Sequence, residues 1–225
     1  MTADNLILAL DVETPAEALQ WVARLKGRVG CFKVGLQLFC KAGPAFVREI
    51  RQQGVNVFLD LKLCDIPNTV AKAIGSVAEL DVRFLTVHTL GGAQMLREAL
   101  AVCPPQTTLL GVTVLTSMDD DDLRLLGFDR TVGGEVMQLA RVAEEAGLKA
   151  LVCSSLETEL LRREFGDHFT LITPGVRPMG TSLDDQSRVT TPQQALDNGS
   201  NYVVMGRPIL KAENPEALLD SLFAA

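Results

Sequence analysis

The sequence predicts an α/β fold, a (β/α)8 TIM barrel in a single domain spanning residues 1–225. Three observations carry that expectation. Short apolar runs recur about every 20 to 30 residues along the chain. Helical patterns separate them. The runs are almost continuously apolar, as strands of a parallel sheet are when both faces are covered.

The strands are expected at Leu6 to Val12, Cys31 to Leu38, Val55 to Leu63 and Phe84 to Thr89, then at Thr107 to Leu115, Lys149 to Ser155, Thr170 to Val176 and Asn201 to Arg207. Pro15 opens a helix over Ala16 to Lys26, Pro44 one over Ala45 to Gln53, and Pro67 one over Asn68 to Leu80. In the last of these, Val70, Ala73, Ile74, Val77 and Ala78 keep helical spacing. Helices over Gln94 to Ala101, Gly134 to Ala146, Glu157 to Phe165, Gln193 to Asp197 and Pro215 to Leu222 complete the alternation. Two connections are longer. Thr116 to Val132, acidic at Asp119 to Asp122, reads as a solvated loop with a short helix. Pro174 to Thr191 reads as a lid or binding loop. A doubly wound open sheet is the alternative fold. No G-x-G-x-x-G follows the first strand, which weakens a dinucleotide-binding version of it.

Composition limits the function. The net charge of −7 argues against a general nucleic-acid binder, which needs a basic face. No apolar run approaches the ~20 residues of a membrane span. Leu6 to Leu10 is too short for a signal-peptide core, lacks a basic lead-in and ends in Asp11. Five cysteines (31, 40, 64, 103, 153) form no C-x-x-C pair, and most sit in or beside apolar strands as small buried residues do. Their odd number without metal spacing indicates a reducing cytoplasm. With two histidines, a His-rich metal site is not expected.

The chemistry concentrates in residues 57–69. Charges appear at Asp60, Lys62 and Asp65, where a purely structural strand would carry none. Asp60 and Lys62 are two apart and project from one face of a strand, with Leu59, Leu61 and Leu63 on the other. A structural ion pair at a strand end is the bland interpretation. Burying an Asp beside a Lys is costly unless each is paired, so a catalytic array at the strand's C-terminal end is the sharper one. In a barrel, reactive groups gather at that end of every strand. Polar residues fall there on the other strands too: Asp11, Lys33, His88, Thr116, Ser117, Arg177, Gln186 and the Gly206-Arg207 pair. Loops after strands seven and eight often bind phosphate in barrels. Gly206 lets backbone N–H approach an anion, Arg207 adds a forked donor, and Pro208 can open a short helix. His88, alone in an apolar strand, reads as a hydrogen-bonded core residue rather than a base. No cysteine has an adjacent His, so a thiol nucleophile is not expected.

Asp-x-Lys-x-x-Asp-Ile-Pro-Asn-Thr at 60–69 resembles the signature of the orotidine 5′-phosphate decarboxylase family. The likeness extends along essentially the whole chain: Leu-Ala-Leu-Asp at 8–11, Phe-Lys-Val-Gly at 32–35, Leu-Thr-Ser at 115–117, Pro-Gly-Val-Arg at 174–177, Asp-Gln-x-Arg at 185–188, Thr-Pro at 191–192 and Gly-Arg-Pro-Ile at 206–209. The resemblance implies a homodimer with active sites shared across the interface. It also implies conversion of orotidine 5′-phosphate to UMP and carbon dioxide, in pyrimidine biosynthesis, without cofactor or metal. Carried over position by position, Lys62 is the proton donor to C6 and Asp60 lies against the departing carboxylate. Lys33 completes a Lys-Asp-Lys arrangement near the ribose, and Asp11 binds the ribose hydroxyls. Asp65, Ile66 and Thr69 reach into the neighbouring subunit's site. Thr116, rather than Ser117, faces the pyrimidine. Gln186, Gly206 and Arg207 hold the phosphate, with Arg177 in the closing loop. Met179 to Leu183 in that loop match no strict pattern.

Two other functions fit parts of the sequence. Hexulose-phosphate synthase and its relatives resemble this chain in barrel and in Asp-x-Lys-x-x-Asp, but hold Mg²⁺ partly through an acidic residue on strand two. Lys33 stands at that position and would repel the ion. A non-catalytic phospho-ligand binding module explains Arg207 and Gln186 but leaves the Asp60, Lys62 and Asp65 cluster without purpose.

Overall fold

A computed structural model of the chain describes residues 1–178 and 190–224. Parallel strands close into a barrel in sequence order, β1 (Leu6–Ala9), β2 (Cys31–Gly35), β3 (Val57–Leu63), β4 (Phe84–His88), β5 (Thr108–Val112), β6 (Ala150–Val152), β7 (Thr170–Pro174) and β8 (Tyr202–Met205), with β8 returning to pair with β1. The expected (β/α)8 barrel is the observed fold.

Alternation along each strand divides the core into two layers. Ile7, Cys31, Phe58, Phe84, Leu110 and Ile172 point inward and fill the barrel. Their neighbours one residue along, including Leu6, Phe32, Leu59, Leu85, Leu109 and Leu171, point outward and meet the helices. Both faces are therefore apolar, which is why the strands read as continuous apolar runs.

The helices between strands are α1 (Pro15–Leu25), α2 (Leu36–Gln52), α3 (Pro67–Val77), α4 (Gly92–Val102), α5 (Asp120–Leu125), α6 (Val132–Ala146), α7 (Thr158–Phe165) and α8 (Pro192–Asp197), followed by α9 (Arg207–Leu210) and α10 (Pro215–Ala224). Their starts follow local chemistry. The Thr14 and Thr131 side chains accept from backbone N–H groups in the first turns of α1 and α6. Thr191 and Gln194 form a capping box ahead of α8. The acidic stretch at 119–122 does the same for the short helix expected in that loop, with Asp119 as cap of α5.

Several strands are shorter than expected, β1 ending at Ala9 rather than Val12, β5 at Val112 rather than Leu115 and β6 at Val152 rather than Ser155, and three departures have a clear local reason. Leu36 to Leu38 extend no strand; they begin α2, which breaks at Gly43 (φ 66°) before Pro44 opens the second half. The expected helix is that second half, and the first is an added segment on the barrel rim. Arg207 does not end β8 but is the first residue of α9, because Gly206 turns the chain (φ −124°, ψ −95°) ahead of Pro208. In β3 the alternation is not regular. Leu59 pairs with Leu85 and Leu63 with Val87, so four steps along β3 oppose two along β4. That bulge leaves Leu61 and Leu63 only half-buried.

Among the described residues, no helix is long and apolar enough to cross a membrane. All five cysteines are free. Cys31 and Cys153 are buried as expected of small apolar residues, but Cys40 and Cys64 are exposed.

Candidate active site

The bulge in β3 lies at the C-terminal end of the barrel and aims Asp60 and Lys62 into its mouth. Lys62 has a left-handed backbone (φ 49°), an uncommon conformation for a residue with a Cβ. Its Nζ donates to both Asp60 oxygens, at 2.8 and 2.9 Å. From β2, Lys33 places its Nζ 3.4 Å from Asp60 Oδ2 and 3.7 Å from Asp11 Oδ1. The four groups form a row of alternating charge across three adjacent strands, Asp11, Lys33, Asp60, Lys62.

Asp60 is the buried member, 8% exposed. Burial pushes its carboxyl pKa up. The Lys33 and Lys62 ammonium groups, with hydrogen bonds from Lys62 and Thr86, outweigh that and hold it below the usual carboxylate range. Asp60 is thus a fixed anion between two cations.

The row forms one wall of a cavity of about 240 Å³. Thr116, Arg177, Gly206 and Arg207 line other parts of it, and Phe58, Val112, Val152 and Val204 form apolar surface deeper in the barrel. Arg177 is buried, and its backbone N–H donates to the Thr190 carbonyl at 3.1 Å. Gly206 is required by close approach. A Cβ there would stand 2.9 Å from Asp11 Oδ2 and 3.2 Å from the Ala9 Cβ. Its lack of a side chain lets the Gly-Arg turn reach the charged row.

Asp65, Ile66 and Thr69 stand apart. All three are exposed, none lines this cavity, and the Asp65 carboxylate accepts from the Ile66 N–H at 2.7 Å. Ser117 is exposed and does not line the cavity, whereas Thr116 does. Gln186 and the segment from Met179 to Leu183 lie outside the described residues.

His88 ends β4 and is half-buried. Its Nδ1 accepts from the Leu90 N–H at 3.4 Å. Burial, and then the nearby Lys62 charge, lower its pKa, so it stays neutral. It borders a separate small apolar cavity under α6, not the one around Lys62. Cys153 touches the main cavity, but burial, reinforced by Glu157, pushes its thiol pKa up, and Cys31 at the barrel floor is raised by burial to about 12. Neither is poised as a nucleophile.

Sequence reasoning missed two features. Thr86 is fully buried beneath the row, donating to Asp60 Oδ1 at 3.0 Å and accepting from the Lys62 N–H at 2.8 Å. Its only signal was a hydroxyl in an inward position between the apolar residues of β4. The apolar floor was hidden because Val112 and Val152 look like any strand valines.

Fold and site together define a barrel enzyme with a Lys-Asp-Lys centre beside a Gly-Arg rim. The chain belongs to the Orotidine 5'-phosphate decarboxylase / HUMPS family, whose model matches residues 4–222. An orotidine 5'-phosphate decarboxylase of Wolbachia pipientis subsp. Culex pipiens is 46% identical over 222 residues, covering 96% of this chain and 98% of that protein. The enzyme of the same name from Syntrophotalea carbinolica is 50% identical over 221 residues, covering 94% and 90%. The crystal structure of orotidine 5'-phosphate decarboxylase from Lactobacillus acidophilus superposes with a TM-score of 0.85 at 36% identity, covering 98% of this chain and 99% of that one.

Proposed function

We infer that this protein decarboxylates orotidine 5′-phosphate to UMP and carbon dioxide, the UMP-forming step of pyrimidine biosynthesis, and that residues 1–225 act as one barrel domain. The observation that carries the reading is the buried Asp60 anion clamped between Lys33 and Lys62 at the mouth of the barrel.

Loss of carbon dioxide leaves an electron pair at C6 of the pyrimidine with little resonance help. The transition state therefore needs a fixed positive charge beside C6. Lys62 supplies it, and then transfers a proton to that carbon. Asp60 holds the Lys62 ammonium in place and lies against the substrate carboxylate, while the valine-lined floor favours neutral carbon dioxide over the carboxylate. Two unit charges about 4 Å apart at an effective dielectric near 20 interact by about 4 kcal/mol. That is short of the roughly 8–23 kcal/mol common to enzymes, so repulsion from Asp60 is not enough and preorganised stabilisation of the carbanion adds to it.

The remaining residues bind. Asp11 and Lys33 take the ribose hydroxyls, and Thr116 faces the pyrimidine. Gly206 and Arg207 hold the phosphate, with Arg177 lining the same cavity; Gln186, outside the described residues, is assigned to the phosphate as well. Phosphate binding far from C6 can order the site for the chemical step.

The site is read as a homodimer's. Asp65, Ile66 and Thr69 face away from their own cavity. Leu36, Ile66, Leu90 and Leu115 are exposed and follow the C-terminal ends of β2, β3, β4 and β5, which are consecutive in the barrel. Such a set of exposed apolar residues suits a second copy, which would receive Asp65 in its own site. The reaction uses no cofactor or metal, and the free cysteines suit the cytoplasm. The Mg²⁺-dependent lyase reading is disfavoured by charge: the Asp11 and Asp60 carboxylates share the Lys33 ammonium, which stands where the cation would have to sit. A binding module would have no use for the buried charge row.

Product analysis tests the reading. Purified protein incubated with orotidine 5′-phosphate should release UMP and carbon dioxide in equal amounts. Stoichiometric binding of the nucleotide with no UMP formed would favour the binding module instead.

A further inference from the structure

The strained position of Lys62 needs a physical cause. Among the described residues only Lys62 and Asp81 are non-glycine residues with a left-handed backbone, and Asp81 sits in an exposed turn. Lys62 instead lies within a strand, in the bulge where four steps along β3 oppose two along β4. A backbone N–H in such a bulge loses its ladder partner. Here that N–H is satisfied by a side chain, the Thr86 hydroxyl, at 2.8 Å. The same hydroxyl uses its one proton to donate to Asp60 Oδ1 at 3.0 Å.

We propose that Thr86 is a positioning residue for decarboxylation, whose hydroxyl ties the bulged Lys62 backbone to the Asp60 carboxylate and so fixes both groups in register. It does not touch the reacting atoms.

A hydroxyl is suited to this because it accepts and donates at once. Valine has nearly the same shape but would leave the Lys62 N–H without an acceptor and take a donor from Asp60. Thr86 is fully buried, so water cannot easily replace the missing bonds. The proposed phosphate end of the site, Gly206 between β8 and α9 and Arg207 at the start of α9, does not lie on β3 or β4, and the Thr86 hydroxyl bonds go to Lys62 and Asp60. The effect should therefore fall on turnover rather than on binding. Thr86→Ser keeps the hydroxyl and should keep the function.

The inference rests on the decarboxylase reading, so wild-type turnover of orotidine 5′-phosphate is measured first; its absence would remove that reading rather than test Thr86. Given turnover, kcat, KM and UMP affinity are compared for wild type, Thr86→Val and Thr86→Ser. Thr86→Val should lose about 10- to 100-fold in kcat, the scale of one hydrogen bond to a buried charge, with KM and UMP affinity within about threefold. Thr86→Ser should stay within about fivefold of wild type in kcat, since the hydroxyl persists. If Thr86→Val does not fold, Thr86→Ala removes the same hydroxyl and is read in its place. Wild-type kcat in the hydroxyl-free variant, an equal loss in KM and kcat, or a Thr86→Ser protein as impaired as the hydroxyl-free one would each overturn the proposal.

Discussion

Replacing Lys62 by Ala separates chemistry from binding most sharply. Lys62 is held by two contacts to Asp60, at 2.8 and 2.9 Å, so its ammonium has one place to act. Removing it removes two contributions. A cation about 4 Å from the developing carbanion, at an effective dielectric near 20, is worth about 4 kcal/mol, or about 10³ in rate. Positioned proton transfer contributes about a further 10²–10⁴. The expected loss in kcat is therefore about 10⁵- to 10⁷-fold. The fold should survive, because Asp60 keeps Lys33 at 3.4 Å and the Thr86 hydroxyl at 3.0 Å. UMP affinity should stay within about tenfold, since the residues proposed to hold the phosphate, Gly206 and Arg207, line another part of the cavity and uniform binding is separable from transition-state stabilisation. The assay is loss of orotidine 5′-phosphate absorbance, with UMP binding by titration calorimetry. A folded Lys62→Ala protein within about 100-fold of wild-type kcat would refute the assigned role, because neither the charge nor the proton would then be coming from this side chain.

Three further outcomes follow from the same geometry. Mixing Lys62→Ala with Asp65→Ala protein, each inactive alone, should restore up to about a quarter of wild-type activity by random assortment into hybrid dimers; no recovery despite demonstrated subunit exchange would contradict a shared site. Asp60 has a depressed pKa in the folded state, so its contribution to stability is fully present above the ordinary carboxylate pKa and is lost as pH falls through the lower folded value. The difference in melting temperature between wild type and Asp60→Asn should accordingly be constant above about pH 5 and change progressively below about pH 4, whereas a difference independent of pH would mean Asp60 is not a stabilised anion. Gly206→Ala should raise KM about tenfold or more, because its new Cβ, 2.9 Å from Asp11 Oδ2, displaces the carboxylate proposed to bind the ribose; an unchanged KM would show that Asp11 does not need that position.

Much of this was legible because the fold repeats one unit. Each apolar run had to be a strand covered on both faces, and prolines 15, 67 and 215 marked helix starts that the structure keeps. What was not legible lay where the chain leaves a regular period. Leu36 to Leu38 are apolar enough to continue β2, yet they turn into α2, because the strand need only reach the rim. Arg207 belongs to α9 because Gly206 turns the backbone one residue earlier. In the site, the charged residues stood out because charge in a barrel strand is expensive. Thr86 did not, because a buried threonine is ordinary until its two partners are known. The bulge that joins Lys62 to Thr86 depends on the pairing of β3 with β4, which no local pattern encodes.

The most direct test of a metal-free, lysine-driven decarboxylation is the initial rate of orotidine 5′-phosphate consumption by protein treated with excess EDTA, compared with the same protein after Mg²⁺ is restored. The account predicts rapid conversion to UMP at equal rates in both. A rate abolished by chelation and recovered with Mg²⁺, or no conversion by folded protein under either condition, would contradict it.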